Sequence, residues 1–122
     1  MAYLLLVEDD PFLVDIYTTK FKEKGFEIDS ASDSDVAFRK MNEKKPDLLL
    51  LDIVLPNLDG WEILKKIRQD KNLNDLKVMI LSNLSQKQEI DKAMNLGANK
   101  YLIKAHHSPS EVVEEAKALL EK

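Results

Sequence analysis

The chain contains no cysteine. Disulfide frameworks, thiolate metal centres and cysteine nucleophiles are excluded with it. It has no block of basic residues, so nonspecific binding to nucleic acid or to an anionic membrane is disfavoured. No apolar run approaches the roughly 18 residues of a membrane span. The opening "MAYLLLVEDD" lacks a basic segment and meets acid at position 8, which is not the pattern of a signal peptide. Linkers, repeats and low-complexity segments are missing as well. The two histidines, His106 and His107, are adjacent and unsupported by cysteine or a third histidine; they read as loop residues, not zinc ligands. What remains is a chain of 122 residues, 44% hydrophobic, with 18 basic against 22 acidic residues and a net charge of −4. That is enough apolar material for one globular core. The expectation is a single cytoplasmic domain over residues 1–122, with no direct nucleic-acid contact and no membrane.

Short apolar runs recur at "YLLLV" (3–7), "DLLLLD" (47–52), "KVMILS" (77–82) and "KYLI" (100–103). "FEIDSA" (26–31) alternates and belongs nearer an edge. Continuous apolar runs suit strands covered on both faces, as in a parallel sheet. Between them lie helical stripes: Phe12, Leu13, Ile16, Tyr17 and Phe21; Ala37, Phe38 and Met41; Ile63, Leu64 and Ile67; Ile90, Ala93 and Met94; Val112, Val113, Ala116, Leu119 and Leu120. Asp10 before Pro11 is a helix start. "SQKQ" (85–88) and "SPSE" (108–111) read as capping boxes, and Gly25 and Gly97 as helix stops. Five βα units in series predict an α/β sheet with helices on both faces.

In such folds ligands bind beyond the carboxyl ends of the strands. Glu8, Asp9 and Asp10 follow the first run, Asp52 ends the third, Ser82 ends the fourth and Lys104 follows the fifth. Any one acid reads equally well as a solvated cap. The whole set needs a counter-charge, because buried like charges are costly. Glu8, Asp9 and Asp52 form an all-oxygen set suited to Mg²⁺, with Mn²⁺ as a second choice. Asp10 is assigned to the helix cap, Lys104 to ion pairing, and Trp61 and Tyr17 to packing.

The segments "LLVEDDP", "LLLLDIVLPNLDG", "MILSN" and "LGANKYLIK", in order and each at a strand end, resemble the receiver domain of two-component response regulators. The resemblance covers essentially the whole chain. It implies a doubly wound (βα)5 flavodoxin-like three-layer sandwich with parallel strand order 2-1-3-4-5. It also implies phosphorelay signalling: a histidine kinase or phosphotransfer protein supplies a phosphoryl group to Asp52 in a Mg²⁺-dependent step. Such a domain is a signalling receiver, not an enzyme beyond its own phosphorylation and dephosphorylation. In this likeness Asp9 is the direct metal ligand, Glu8 acts largely through water, and Val54 offers its backbone carbonyl. Lys104 pairs with the phosphoryl group, Ser82 is the switch hydroxyl, and Tyr101 is the aromatic that turns on activation. The surface of the fourth helix, fifth strand and fifth helix would then engage a downstream partner or output domain, or a second copy in a phosphorylation-dependent homodimer.

The chain departs from the family pattern at three places. Ala105 follows Lys104 where proline is usual, His106 comes next where an aromatic is usual, and Asn83 follows Ser82 where a small residue is usual. Asn83 is expected to gate the site by its bulk. Neither Val54 nor Leu84 can hydrogen-bond an attacking water, so a long-lived phosphorylated form is expected. The competing readings are weaker. A flavodoxin-like cofactor binder would need a Ser/Thr/Gly-rich phosphate loop where Glu8–Asp10 stand. A phosphatase of the haloacid-dehalogenase type would need an Asp-x-Asp motif after the first strand. A pseudo-receiver or adaptor would have lost an acid or the lysine.

Overall fold

The computed structural model describes residues 2–122. Five strands and five helices alternate along the chain: β1 (Tyr3–Val7), α1 (Pro11–Glu23), β2 (Glu27–Ala31), α2 (Ser34–Glu43), β3 (Leu48–Leu51), α3 (Gly60–Gln69), β4 (Lys77–Ser82), α4 (Lys87–Asn95), β5 (Lys100–Ile103) and α5 (Pro109–Leu120). A short 3₁₀ turn, Lys104–His106, joins β5 to α5 and carries His106 on its exposed side. All strands pair in parallel, in the order β2-β1-β3-β4-β5. The expected topology is the observed one, and β2, whose solvent-side positions are polar, lies at an edge.

The apolar runs behave as strands buried on both faces. Leu5, Val7, Leu49, Leu51, Val78 and Ile80 point to one side, where α2, α3 and α4 supply Ala37, Met41, Ile63, Leu64, Ile67 and Ala93. Their neighbours Leu4, Leu6, Leu48, Leu50, Met79 and Leu81 point to the other, against Tyr17 and Phe21 of α1 and Val112, Val113, Ala116 and Leu119 of α5. Period-two alternation of side chains thus splits one run of leucines between two separate cores. Tyr17 is a packing residue, as expected. Trp61, also expected to pack, sits partly buried between α3 and α4, with the Lys92 ammonium 4.1 Å from its ring centre and its indole N–H without a partner.

Helix entries follow capping chemistry. Asp10, Asp33 and Asp59 each accept a backbone N–H at 2.9 Å, from Phe12, Val36 and Glu62. The box at Ser108–Glu111 forms, with Ser108 Oγ accepting the Glu111 N–H at 3.2 Å and Glu111 Oε1 accepting the Ser108 N–H at 2.7 Å. The box read at Ser85–Gln88 forms one residue later: Gln86 is the cap and Glu89 Oε1 accepts its N–H at 3.0 Å. A carboxylate is a stronger acceptor than the Gln88 amide and is favoured at a helix N-terminus, so it sets the register. Gly25 and Gly97 adopt the left-handed backbone (φ 90° and 104°) just past α1 and α4. The apolar stripes in the sequence are slightly wider than the buried helix faces. Phe12 on α1 and Met94 on α4 remain exposed. Strand β3 is also shorter than its run: Asp47 lies just before it, its N–H donating to Tyr3 O and its Oδ2 accepting the Tyr3 N–H, both at 2.8 Å.

Candidate functional site

Strand register brings the chemistry-bearing residues together. Val7 is level with both Ala31 and Leu51, and the ladder continues as Glu8 N–H donates to Ala31 O and Asp52 N–H to Val7 O. Glu8 and Asp52 therefore leave the sheet side by side. On the far side, Ser82 is level with Ile103, so Lys104 begins one residue beyond it. The result is an open cleft lined by Glu8, Asp9, Asp52, Ser82, Asn83 and Lys104.

Asp52 is 7% exposed, Glu8 2% and Ser82 fully buried, whereas Asp9 faces solvent. Every carboxylate oxygen of the buried pair has a partner. Asp52 Oδ1 accepts the Ile53 N–H at 2.8 Å, and Asp52 Oδ2 accepts Lys104 Nζ at 3.0 Å. Glu8 Oε1 accepts the same ammonium at 2.5 Å, and Glu8 Oε2 accepts the Asp10 N–H at 3.1 Å. Lys104 is thus the counter-charge for two buried acids. Burial pushes the Glu8 carboxyl above the ordinary glutamate range, against the opposing pull of Lys104 and the Asp10 N–H. Burial acts to lower the Lys104 ammonium, but its bonds to Glu8 and Asp52 override this and hold it above the usual lysine value.

Glu8, Asp9 and Asp52 each offer a carboxylate oxygen within 4.8 Å of the others. This all-oxygen set, buried on one side and open through Asp9 on the other, fits a hard divalent cation that keeps part of its water shell. Val54, two residues beyond Asp52, also lines the cleft and is 61% exposed.

The wall between β4 and β5 is tied by three hydrogen bonds. Ser82 Oγ accepts the Leu84 N–H at 3.2 Å, Leu84 O accepts the Tyr101 hydroxyl at 2.7 Å, and Asn83 Oδ1 accepts the Ala105 N–H at 3.0 Å. Burial raises the Tyr101 phenol above the usual tyrosine value. Among the described residues there is no cis peptide bond, so Lys104–Ala105 is trans.

All eight residues singled out in the sequence sit at or beside this edge. Sequence reading missed the Ile53 N–H on Asp52, the Leu84 carbonyl under Tyr101 and the Ala105 N–H on Asn83. All three are backbone groups, which have no residue-specific signature. It also missed Gly60. A Cβ there would lie 2.3 Å from Asp52 O and 2.7 Å from the Ile53 Cα, so α3 can start against the end of β3 only with glycine. The sequence does carry that signal, in the Asp59-Gly60 pair that opens α3.

Comparison with known proteins bears on the whole arrangement. The family model described as response regulator receiver domain matches residues 4–117. The alkaline phosphatase synthesis transcriptional regulatory protein PhoP of Bacillus subtilis is 37% identical over 119 residues, covering 96% of this chain and 48% of that protein. The chain therefore spans about half the length of this curated relative. A crystal structure of a two-component response regulator from Clostridium difficile superposes with a TM-score of 0.92 at 30% identity, covering 100% of this chain and 98% of that one. The Mn²⁺-bound form of the response regulator Rcp1 shares the fold (TM-score 0.85, 24% identity, 97% and 93% covered). Among the described residues, no helix is long and apolar enough to cross a membrane.

Proposed function

The chain belongs to the response regulator receiver domain family, and from that premise we propose that it works as one receiver unit over residues 1–122 and accepts a phosphoryl group on Asp52. The observation that supports this most directly is the state of the Asp52 carboxylate. It is a buried group lining the cleft, ionically paired to Lys104 at 3.0 Å and oriented by the Ile53 N–H at 2.8 Å. A carboxylate so fixed is a ready nucleophile. One of its oxygens forms the new P–O bond while the donor's leaving group departs with the electron pair of the bond it loses, giving an acyl phosphate.

Phosphoryl transfer asks a protein chiefly for positioning and charge neutralisation. Lys104 already stands where it can pair with the new phosphoryl oxygens. Glu8, Asp9 and Asp52, with the Val54 carbonyl, are the groups that would hold Mg²⁺, or Mn²⁺ as in the fold neighbour Rcp1. When bound, the ion supplies charge screening between those acids and an incoming phosphate. Ser82, which lines the same cleft, is the hydroxyl that would bind the product phosphoryl. Its movement would draw on Leu84 and release the Tyr101 hydroxyl from the Leu84 carbonyl. The half-buried surface lined by Ile90, Met94, Lys100, Tyr101 and Glu115 would change with it. That face is the proposed contact for a downstream partner, an output domain or a second copy. The kinase or phosphotransfer protein that would supply the phosphoryl group is likewise part of the proposal. Val54 and Leu84 offer no side-chain group to orient an attacking water, which supports a long-lived phosphorylated form.

The test is intact mass after incubation with a small phosphodonor and Mg²⁺. Wild type should gain one phosphoryl mass, and both chelation and Asp52→Ala should abolish the gain. A gain that survives Asp52→Ala moves the site, and no gain in wild type overturns the reading.

A further inference from the structure

The 3₁₀ turn that carries Lys104 is not capped by its own sequence. Its cap residue is Ile103, whose side chain offers no acceptor, and the first N–H groups of such a turn have no partner within it. One of these is the Ala105 N–H. It is taken by Asn83 Oδ1, 22 residues earlier, at 3.0 Å. Asn83 follows Ser82 directly. Leu84, the next residue, accepts the Tyr101 hydroxyl at 2.7 Å. The short loop Ser82–Leu84 therefore grips the chain on both sides of Lys104, at Tyr101 before it and at Ala105 after it. The Lys104 side chain is only 10% exposed and lies between Glu8 and Asp52, so a displaced backbone at 104–105 would shift its ammonium.

We propose that Asn83 is a positioning residue, holding the Lys104 turn through the Ala105 amide and so linking the lysine to the loop that bears Ser82. The inference rests on the phosphoryl-transfer reading of the site, and it opposes a role for Asn83 through bulk alone. Bulk predicts faster phosphorylation when the side chain is cut back; positioning predicts slower.

The experiment compares wild type, Asn83→Ala and Asn83→Asp on the full chain. Asn83→Asp keeps an acceptor oxygen at the same reach, and elevated salt screens its added charge. Three quantities are read: amide exchange at Ala105, the NMR resonance of the Lys104 ammonium, and the dependence of Asp52 phosphorylation on donor concentration. In Asn83→Ala the Ala105 amide should exchange about fivefold faster, as for loss of one ordinary hydrogen bond, and the ammonium resonance should broaden. The maximal phosphorylation rate should fall about tenfold, a fraction of the roughly hundredfold penalty that a 1 Å misplacement can carry, with little change in the half-saturating donor concentration. Asn83→Asp should restore all three. Phosphorylation as fast as or faster than wild type in Asn83→Ala overturns the proposal. So does unchanged exchange at Ala105, or an Asn83→Asp protein that behaves like Asn83→Ala. If wild type takes no phosphoryl group, the phosphoryl reading fails, and the exchange and ammonium measurements then decide the Asn83 tether by themselves.

Discussion

Replacing Lys104 with methionine would keep the stem that packs beside the cleft and remove the ammonium that Glu8 and Asp52 share. Removing one partner of a buried ion pair typically costs about 3–5 kcal/mol. Part of that cost should be recoverable with acid. Burial already holds the Glu8 carboxyl above its ordinary range, so Glu8 contributes stability at pH below its unfolded value that is lost as pH rises through its folded value. In wild type the Lys104 ammonium, itself raised, opposes this loss at every pH below the ordinary lysine value. Lys104→Met should therefore be about 3 kcal/mol less stable than wild type at pH 7, and the gap should narrow as pH falls toward the raised Glu8 value. Urea unfolding at several pH values checks this; a gap that widens with acid would mean the lysine is not the acids' counter-charge. Gly60 gives a second prediction. Its would-be Cβ meets backbone atoms of Asp52 and Ile53, which cannot rotate away, so Gly60→Ala should cost about 1–3 kcal/mol as an overpacked site. It should also slow phosphorylation by displacing Asp52, whereas an equally destabilising change remote from the cleft should leave the rate intact. At this scale the acids, the hydroxyl and the lysine were legible in the sequence because ionisable side chains at strand ends are conspicuous. The Ile53 and Ala105 amides were not, since any residue but proline supplies one.

Among the elements, α3 and the α4–β5 connection are held together by Arg68. Its guanidinium donates to Gly97 O at 2.7 and 3.0 Å, to Leu76 O at 2.6 Å, to Asn74 O at 3.3 Å and to Asn99 Oδ1 at 3.1 Å. Asn99 Oδ1 in turn accepts the Val78 N–H at 2.8 Å. The planar fork of arginine matches these diverging acceptors and a lysine does not. Arg68→Ala and Arg68→Lys should both lose about 1–3 kcal/mol, the cost of leaving part-buried acceptors unpaired. Exchange at the Val78 and Asn99 amides should speed up with it, and wild-type-like unfolding of Arg68→Lys would count against the fork. Nothing in the sequence marked Arg68, because its partners are almost all carbonyls. Element positions, by contrast, were readable. The leucine runs announced buried parallel strands, and Asp10-Pro11 and Ser108-Pro109 announced helix starts. The start of α4 lies one residue beyond the Ser85 cap, because the Glu89 carboxylate is the stronger acceptor for the cap N–H even though Gln86 is not a usual cap residue.

For the molecule as a whole, the topology follows from the runs and stripes together with the family resemblance, and the division of the leucines into two cores follows from alternation along each strand, whereas which helices cover which face depends on the fold. A ligand that binds only the folded chain stabilises it by RT ln(1 + [L]/Kd), about 2.7 kcal/mol at a hundredfold excess over Kd. Saturating Mg²⁺ should raise the Tm of wild type by several degrees, and Asp9→Asn, which removes the exposed carboxylate of the set, should lose most of that increment without lowering the metal-free Tm. Scanning calorimetry with and without Mg²⁺ checks both, and an unchanged wild-type Tm would argue against a cation at these acids.

The packing of Lys92 over Trp61 makes the protein its own optical probe. Trp61 is the sole tryptophan, so emission excited at its absorption edge comes from one place, the seam between α3 and α4. The ring has a positive charge 4.1 Å from its centre and an indole N–H without a partner, and both its intensity and its colour respond to small changes in that field and in water access. A shift of α4 that follows phosphorylation at Asp52 would move Lys92 relative to the ring. Stopped-flow fluorimetry on the unlabelled protein should thus report the switch in real time. Lys92→Ala should reduce the signal while leaving phosphorylation, followed by mass, at its wild-type rate.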